Sequence, residues 1–250
     1  KWNDIKIVLE YGMLSEPKFY EKSGDFILYP TVDDNYYTLA ELKEAIATNQ
    51  TDKNGKLVVL YASNKDAQHG YIEIAEEKGY KVLLLDSPIV SHLIQKLESD
   101  NENLTFVRVD SDTLDKLIRK TDELPSKISK EEEEKLKPVF EECLNKEKYT
   151  VQFESMSESD SPMIITQPEF IRRMMEQQKL GGGGMFGAFP EMFTLVVNAN
   201  HPKIAQLLTK KAKDQKASVK QLTDLALLAQ GMLKGEALDS FIERNIEHIA

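Results

Sequence analysis

Three aspartates in the first half of the chain are the residues whose type and placement could do chemistry. Asp86 follows the predicted strand KVLLL, and Asp110 and Asp112 follow the predicted strand LTFVRV. The carboxyl ends of parallel strands form the edge at which open α/β sheets bind ligands, and converging carboxylates can hold Mg²⁺ there. The same positions suit helix N-caps, which explains these aspartates without a metal. The pattern favours structural caps and leaves a Mg²⁺-dependent α/β enzyme as the alternative.

Other residue types that carry chemistry do not assemble into a site. A literal GxGxxG occurs at Gly182, Gly184 and Gly187, but it follows a helix and opens into Ala-Phe-Pro, which is the wrong context for a dinucleotide. The single cysteine, Cys143, lies among apolar residues at helical spacing and is predicted to be a buried small hydrophobe. None of the histidines shows metal-ligand spacing; they are His69, His92, His201 and His248. We therefore predict no catalytic, cofactor-binding or metal-binding residue.

Composition narrows the class of protein further. The net charge of −10 argues against nucleic acid or an anionic membrane as the main partner, because such partners are bound by clustered Lys and Arg. No apolar run approaches the length that spans a bilayer, and no signal-peptide pattern is present, so a cytoplasmic location is expected. Position 1 is a lysine, and helical spacing of apolar residues begins at Trp2. We expect the chain to be a fragment of a longer protein.

The segment from Ser161 to Phe193 combines apolar and flexible residues. It contains five methionines and four phenylalanines, yet the four glycines at 181–184 interrupt it. Consecutive glycines raise the conformational entropy that burial must overcome, so a rigid core is disfavoured there. Methionine is unbranched and adaptable, and it suits surfaces that bind varied apolar partners. The segment is therefore predicted to be a recognition surface.

The first part of this segment, from Gln167 to Lys179, is predicted to be an amphipathic helix. Thr166 and Glu169 have the spacing of a capping box. At 100° per residue, the apolar side consists of Phe170, Ile171, Met174 and Met175. The other side is charged and consists of Arg172, Arg173, Glu176 and Lys179. Two alternatives stay open: the apolar side packs on its own domain, or it is exposed for binding.

The elements around these residues indicate two domains. Residues 1–50 read as a helical lead-in whose first helix ends near Gly12, with a capping box at Thr38 and Glu41. From 54 to 120 the pattern alternates strand and helix three times, and the nearly continuous apolar strands suit a parallel sheet covered on both faces. This pattern predicts a small three-layer α/β/α sandwich with a short parallel sheet.

A charged linker at 121–135, which contains four successive glutamates, separates this domain from the next. Residues 136–250 read as an α+β domain with a helix, the strands YTVQFES, PMIIT and FTLVVNA, and three closing helices. The predicted fold class is thus α/β plus α+β.

The last two helices carry two apolar stripes joined by a short loop around Gly235. A single hairpin cannot hide both stripes, so the hairpin either folds onto its own domain or pairs with a second copy in a four-helix bundle. We expect a homodimer that forms a helical bundle. The predicted dimer-interface residues are Leu222, Leu225, Ala226, Ala229, Leu238, Phe241, Ile242, Ile246 and Ile249.

Taken in order, these elements resemble the ninety-kilodalton heat-shock chaperone family, specifically its bacterial branch. The resemblance covers essentially all 250 residues. It rests on the segments WNDIKIVLEYG, FILYPTVDDNYYTLAELKEAI, NGKLVVLYAS, EEKGYKVLLLDSPI, FVRVDSD, SPMIIT, LVVNANHP and LTDLALLAQGMLKGEALDSFIERN. None of these segments is a catalytic motif, and it is their shared order that makes the resemblance specific.

The resemblance implies that residues 1–120 are the later part of the family's middle domain and that 136–250 are its carboxy-terminal dimerisation domain. The ATP-binding domain of the intact protein, which uses ATP and Mg²⁺, would precede Lys1. The fragment is therefore expected to be non-enzymatic and to take no cofactor. The chain also ends at Ala250 without the Met-Glu-Glu-Val-Asp tail of cytosolic eukaryotic relatives, which supports the bacterial assignment.

The resemblance also implies a role in protein folding under stress, with unfolded client proteins and a second copy of the chain as partners. The family's client-facing helix looks like Gln167 to Lys179, with Met174 and Met175 as contacts. Residue chemistry extends the predicted client surface to Phe170, Ile171, Met185, Phe186 and Phe189. Two other functions remain as alternatives: the Mg²⁺-dependent enzyme, and a dimerisation module with no client surface.

Overall fold

A computed structural model describes residues 2–120, 124–180 and 191–247, with every side chain in those ranges except the two at positions 179 and 180. Its helices are α1 (Trp2–Ser15), α2 (Pro17–Ser23), α3 (Leu39–Ile46), α4 (His69–Glu77), α5 (Val90–Ser99), α6 (Leu114–Leu117), α7 (Lys130–Glu141), α8 (Glu169–Leu180), α9 (Pro202–Leu207), α10 (Ala212–Ala229) and α11 (Glu236–Glu247). Its strands are β1 (Tyr29–Pro30), β2 (Tyr36–Tyr37), β3 (Leu57–Ala62), β4 (Val82–Leu84), β5 (Leu104–Arg108), β6 (Tyr149–Glu154), β7 (Met163–Thr166) and β8 (Phe193–Asn198). The predicted mixed α/β class is confirmed.

The chain divides into two compact units. The first comprises Lys1–Thr121 and Glu169–Phe189, and the second comprises Asp122–Pro168 and Pro190–Ala250. Helix α8 therefore belongs to the first unit, although in sequence it lies between two strands of the second.

The first unit is built on a parallel sheet with β3 at its centre. The strand order is β4-β3-β5, and Leu60 of β3 lies opposite Val82 on one side and Val107 on the other. Every residue of β3 after Leu57 is buried, as expected for a strand covered on both faces. The apolar core of this unit includes Val59 and Tyr61 of β3 together with Phe106 of β5.

Helices α4 and α5 follow the strands as the apolar spacing predicts. Leu93, Ile94 and Leu97 of α5 are buried in the core of the unit. The prediction that α4 ends at Gly79 is confirmed, because this residue follows the C-cap Lys78 with a φ of 74° that glycine adopts without strain.

The lead-in shows one confirmed and one wrong prediction. The capping box at the start of α3 is present, with Thr38 accepting from the Glu41 amide and the Glu41 carboxylate accepting from the Thr38 amide. Helix α1, however, passes through Gly12 and ends at Ser15. Gly12 serves packing, since a Cβ atom there would lie 3.2 Å from the ring of Phe19.

The second unit has a mixed sheet with β8 at its centre. The strand order is β6-β8-β7, with β6 parallel and β7 antiparallel to β8. Leu195 and Val197 of β8 are fully buried, and they pack in a core with Leu136 and Phe140 of α7.

Two helix starts in this part of the chain differ from the sequence-based expectation. A capping box that we did not predict begins α7, where Ser129 and Glu132 exchange side-chain and backbone hydrogen bonds. The predicted capping box at Thr166 is wrong. Thr166 is the last residue of β7, and α8 begins only at Glu169, whose carboxylate is engaged elsewhere.

Candidate functional site

Helix α8 packs on the first unit with its charged side inward. Glu169, Arg172, Arg173 and Glu176 share one side of the helix, and Arg172 is only 3% exposed. The other three are partly buried. A surface helix normally turns its apolar stripe to the core and its charges to water, so the orientation of α8 is the reverse of the usual one.

Arg172 is the most buried of the α8 side chains that the structure describes, and it binds Tyr61 of β3. Its guanidinium group donates to the Tyr61 hydroxyl and to the carboxylates of Glu169 and Glu176. The Tyr61 hydroxyl donates in turn to Oε1 of Glu169 over 3.1 Å. Burial, reinforced by the Glu169 charge, raises the pKa of Tyr61 well above its ordinary value. Tyr61 therefore stays protonated and acts as a donor and an acceptor at the same time.

Arg173 reaches two other elements of the unit. Its Nη1 lies 2.8 Å from Oε2 of Glu98 on α5, and its Nη2 donates to the backbone carbonyl of Phe106 in β5 over 2.6 Å. Its Nε donates to Glu169 over 2.7 Å. One guanidinium group thus connects α8 to a helix and to an outer strand of the sheet.

Glu169 is the acceptor that both arginines share. It also accepts from the backbone amide of Arg108 over 3.4 Å. Burial raises the pKa of Glu169, but the charges and hydrogen bonds of Arg172 and Arg173 outweigh burial and hold this pKa below its ordinary value. The carboxylate is therefore ionised at neutral pH.

The edge of this polar network is formed by Glu176 and Arg108. Glu176 accepts from the hydroxyl of Ser91 on α5, and it lies 3.7 Å from Nη1 of Arg108. Arg108 also binds Asp110 through two hydrogen bonds of 2.6 and 2.9 Å. Charged and polar groups thus continue from the middle of the contact to its rim.

The apolar side of α8 faces away from this network. Phe170 is 71% exposed, which is the highest exposure among the large apolar residues of the described chain. Ile171, Met174 and Met175 are partly buried, and neither apolar core includes any of the four. The other predicted members of the client surface, Met185, Phe186 and Phe189, lie outside the described residues.

Sequence reasoning identified both sides of this helix but not the role of the charged one. The sequence placed Arg172 and Arg173 on the charged side without a binding role, whereas in the structure they make contacts that hold α8. A signal was present in the spacing, because Glu169 and Glu176 lie three or four residues from the arginines and can neutralise them along the helix.

The prediction that the three strand-end aspartates are helix N-caps is wrong, because the N-cap residues are Ile89 for α5 and Thr113 for α6. Each aspartate has another structural partner. Asp86 binds Lys6, Asp110 binds Arg108, and Asp112 accepts from the backbone amide of Thr113. Within the described ranges, no group of three or more His, Cys, Asp or Glu side chains could hold a metal ion. The Mg²⁺-dependent alternative therefore has no support in the structure.

The remaining candidate residues have structural surroundings. Burial raises the pKa of the Cys143 thiol, which disfavours the reactive thiolate. The ring of His201 caps α9 by accepting from the Lys203 amide over 3.1 Å. The GxGxxG glycines and His248 lie outside the described residues. In the part of the chain that the structure describes, no helix has the length and apolar character needed to cross a membrane.

The terminal hairpin separates the predicted dimer residues into two groups. Leu222 and Ala226 pack against the core of the second unit, Leu238 is partly buried, and Phe241 is buried within the single chain. The exposed group consists of Leu225, Ala229, Ile242 and Ile246. Leu228, which we did not predict, is also exposed. Ile249 lies outside the described residues.

Polar pairs hold the two helices of this hairpin together. Asp224 of α10 is fully buried, and it binds both Lys220 on its own helix and Arg244 of α11. Beside it, the Gln221 amide donates to Asn245 over 2.9 Å. The hairpin is therefore a defined element in the single chain, and its exposed apolar residues occupy fixed positions.

Comparison with known proteins identifies the family. The family model described as Hsp90 protein matches residues 2–244, which is nearly the whole chain. The chain belongs to the Hsp90 family, and the resemblance drawn from the sequence is confirmed.

The relatives are bacterial proteins named chaperone protein HtpG. The one from Bacteroides thetaiotaomicron is 34% identical over 100% of the chain and 47% of its own length. The one from Porphyromonas gingivalis is also 34% identical, over 98% of the chain and 46% of its own length. The one from Treponema denticola is 28% identical over 90% of the chain. The chain spans about half the length of the first two relatives.

Proposed function

We propose that this chain is the client-binding and dimerisation part of a bacterial Hsp90-type chaperone. The apolar side of α8 binds unfolded or partly folded proteins, and α10 and α11 join two copies into a four-helix bundle. Residues 1–120 act as the later middle domain and 136–250 as the dimerisation domain. The chain itself carries out no catalysis and takes no cofactor, while the intact cytoplasmic protein uses ATP and Mg²⁺. Calorimetric titration of this chain with ATP and Mg²⁺ tests whether it takes a cofactor. Saturable binding contradicts the proposal that it takes none.

One observation carries the client-binding proposal. Phe170 is 71% exposed at the start of a helix whose contacts with its own unit are made by the opposite, charged side. An apolar side that packs on its own domain would place Phe170 in a core, and it lies in neither core. The exposed ring and the adjacent methionine side chains suit apolar segments of varied sequence.

The test replaces Phe170 and Met174 by serine together. Because Phe170 contributes little to the fold, the double variant should keep its circular dichroism spectrum and its melting temperature. Its ability to suppress aggregation of a heat-unfolded test protein should fall about tenfold, the change produced by losing ~1.4 kcal/mol of apolar contact. Light scattering measures this suppression.

Gln177→Ala is the matched control, since Gln177 is exposed on the same helix and is polar. This variant should suppress aggregation as the wild type does. Undiminished suppression by the folded double variant contradicts client binding through α8. Loss of folding in the double variant would support the alternative in which the apolar side is part of a core.

The dimerisation proposal rests on the exposed apolar residues of the hairpin. Leu225 and Leu228 on α10 and Ile242 and Ile246 on α11 are between 40% and 61% exposed. Burial of such residues against the same surface of a second copy is the usual basis of a symmetric helical dimer.

A further inference from the structure

The contact between α8 and the rest of the first unit is made by polar groups. Neither apolar core contains any of the α8 side chains that the structure describes, those at 169–178. The hydrogen bonds across the contact join Arg172 to Tyr61, Arg173 to Glu98 and Phe106, and Glu176 to Ser91. An apolar contact is strengthened by salts such as sulfate, whereas the ion pairs Arg173–Glu98 and Arg108–Glu176, which cross this contact, are screened by salt. The attachment of this helix should therefore respond to ionic strength in the direction opposite to that of a packed core.

The helix also carries the partners that its buried arginines need. Glu169 binds both arginines, and Glu176 binds Arg172, so these pairs persist when the helix leaves the unit. Removing a single partner from a buried charge is strongly unfavourable, but here the positive and negative groups move together.

The charged groups on the surface that α8 covers also keep hydrogen-bond partners when the helix leaves. Glu98 keeps hydrogen bonds from the Phe106 amide and the Thr105 hydroxyl, and Arg108 keeps its two bonds to Asp110. Detachment breaks the ion pair between Arg173 and Glu98, but it leaves each of these charged groups with a hydrogen-bond partner on its own side. This arrangement lowers the free-energy difference between the attached and detached states of the helix.

We propose that Arg172 and Arg173 form a reversible polar latch that holds α8 on the first unit and keeps its apolar side turned outward. The proposal rests on the proposed function, because the side that the latch presents is the one that binds clients. Arg172 and Arg173 are positioning residues, since they touch the unit and not the client. An attached helix presents Phe170 in a fixed place, whereas a detached helix loses more conformational freedom when it binds.

Hydrogen exchange of the whole chain tests the latch. The amides of α8 in the wild type should exchange about tenfold faster when NaCl is raised from about 50 mM to about 1 M, which shortens the screening length to about 3 Å. The amides of β3 report on the core of the same unit and should not change. Exchange of α8 that is independent of salt, or that slows with salt, overturns the proposal.

Substitution of the arginines gives the second measurement. Arg172→Gln with Arg173→Gln keeps long helix-forming side chains and removes both charges. At low salt its α8 amides should exchange as fast as those of the wild type at high salt, and further salt should have little effect. The control Gln177→Ala should behave as the wild type. Wild-type exchange rates in the folded double variant overturn the latch.

A double-mutant cycle keeps the test informative if the double variant unfolds. Glu98→Gln and Arg173→Gln each remove one member of the pair that joins α5 to α8. If the pair acts as a latch, the combined variant should accelerate α8 exchange by less than the product of the two single effects. Independent effects contradict a direct coupling.

The latch and the proposed function can fail separately. If α8 exchange depends on salt and on the arginines, but Phe170→Ser with Met174→Ser leaves aggregation suppression intact, the latch stands and client binding through α8 is wrong. If the serine variant loses suppression while α8 exchange ignores salt and the arginines, client binding stands and the latch is wrong.

Discussion

At the scale of single residues, the buried ionic groups around Arg172 and around Asp224 are organised differently. In the first unit, Arg172 has a carboxylate on either side along its own helix and a neutral hydroxyl across the contact. In the second unit, the carboxylate of Asp224 is fully buried, and Arg244 binds it from the other helix. Separation of the first arrangement leaves Arg172 with both of its carboxylates, whereas separation of the second takes Arg244 away from Asp224 and leaves Asp224 with Lys220.

The residue-scale prediction concerns Asp224. Asp224→Asn removes the negative charge that Lys220 and Arg244 share and leaves both cations near a buried neutral side chain. We expect the second unit to lose about 2 kcal/mol of stability, within the range for removal of one member of a buried ion pair whose partners are partly exposed. Urea unfolding followed by circular dichroism measures the loss.

Glu243→Gln is the control for Asp224, because Glu243 lies on an exposed part of α11. It removes the same charge and should change stability by less than about 0.5 kcal/mol. Equal effects of the two substitutions would show that the Asp224 pair adds nothing beyond net charge.

At the scale of elements, α8 shows that an apolar pattern can predict the two sides of a helix without predicting which side packs on the protein. The strands β3, β4 and β5 could be predicted because runs such as LVVLYA and VLL are buried on both faces, and burial selects their residue types. The two sides of α8 could also be predicted. The side that faces the protein could not be predicted. The rule that apolar residues lie inside fails when buried arginines are paired with carboxylates on the same helix.

The starts and ends of helices could also be predicted only in part from local sequence signals. Thr38 caps α3 as expected because it lies between the end of β2 and the first helical residue, where its side chain can accept from the Glu41 amide. Thr166 has the same spacing to a glutamate but already belongs to a strand that pairs with β8. Gly12 reads as a helix stop, yet the close approach of Phe19 explains it within a continuous helix. At Thr166 and at Gly12, a tertiary contact overrides the local sequence signal.

The element-scale prediction concerns the attachment of α8 in acid. The pKa of Glu169 in the folded protein is below its ordinary value of 4.5. The attached helix alone lets this carboxylate accept hydrogen bonds from the Tyr61 hydroxyl and the Arg108 amide. The ionised carboxylate therefore stabilises the attached helix fully above pH 4.5, and this contribution is lost as the pH falls through the lowered pKa. Exchange of α8 amides, corrected for intrinsic rates, should accelerate relative to that of β3 as the pH falls below 4.5.

Glu169→Gln separates this effect from general acid unfolding. Glutamine cannot ionise, so α8 in this variant should already exchange fast at neutral pH and should show no further acceleration before β3 opens. An unchanged acid response in the variant would assign the effect to another carboxyl group, such as Glu98 or Glu176, both of which face the same arginines.

At the scale of the whole molecule, the terminal hairpin of α10 and α11 is the element that we propose determines the oligomeric state. Phe241 is a poor probe of this question, because it is 8% exposed within the single chain and its replacement by glutamate would disturb the fold. Ile242 and Ile246 are 45% and 61% exposed, so changes there act on association with little effect on the monomer.

The whole-molecule prediction is that Ile242→Glu with Ile246→Glu abolishes dimer formation. The wild type should sediment as a dimer at micromolar concentration, and the variant should sediment as a monomer with the same circular dichroism spectrum, since four like charges would face each other in the interface. Ala212→Glu, at the exposed start of α10, is the control and should stay dimeric. A monomeric wild type, or a dimeric variant, contradicts the proposed bundle.

The position of β8 at the centre of the second sheet has a consequence for synthesis on the ribosome. In the first unit the central strand β3 is made before β4 and β5, so each later strand meets a formed edge as it emerges. In the second unit β6 and β7 are made first, and among the strands that the structure describes each pairs with β8 alone, which emerges after α8. Until then their backbone groups and apolar residues such as Val151 and Ile165 have no sheet to join, so this interval is when the nascent chain is most exposed to aggregation.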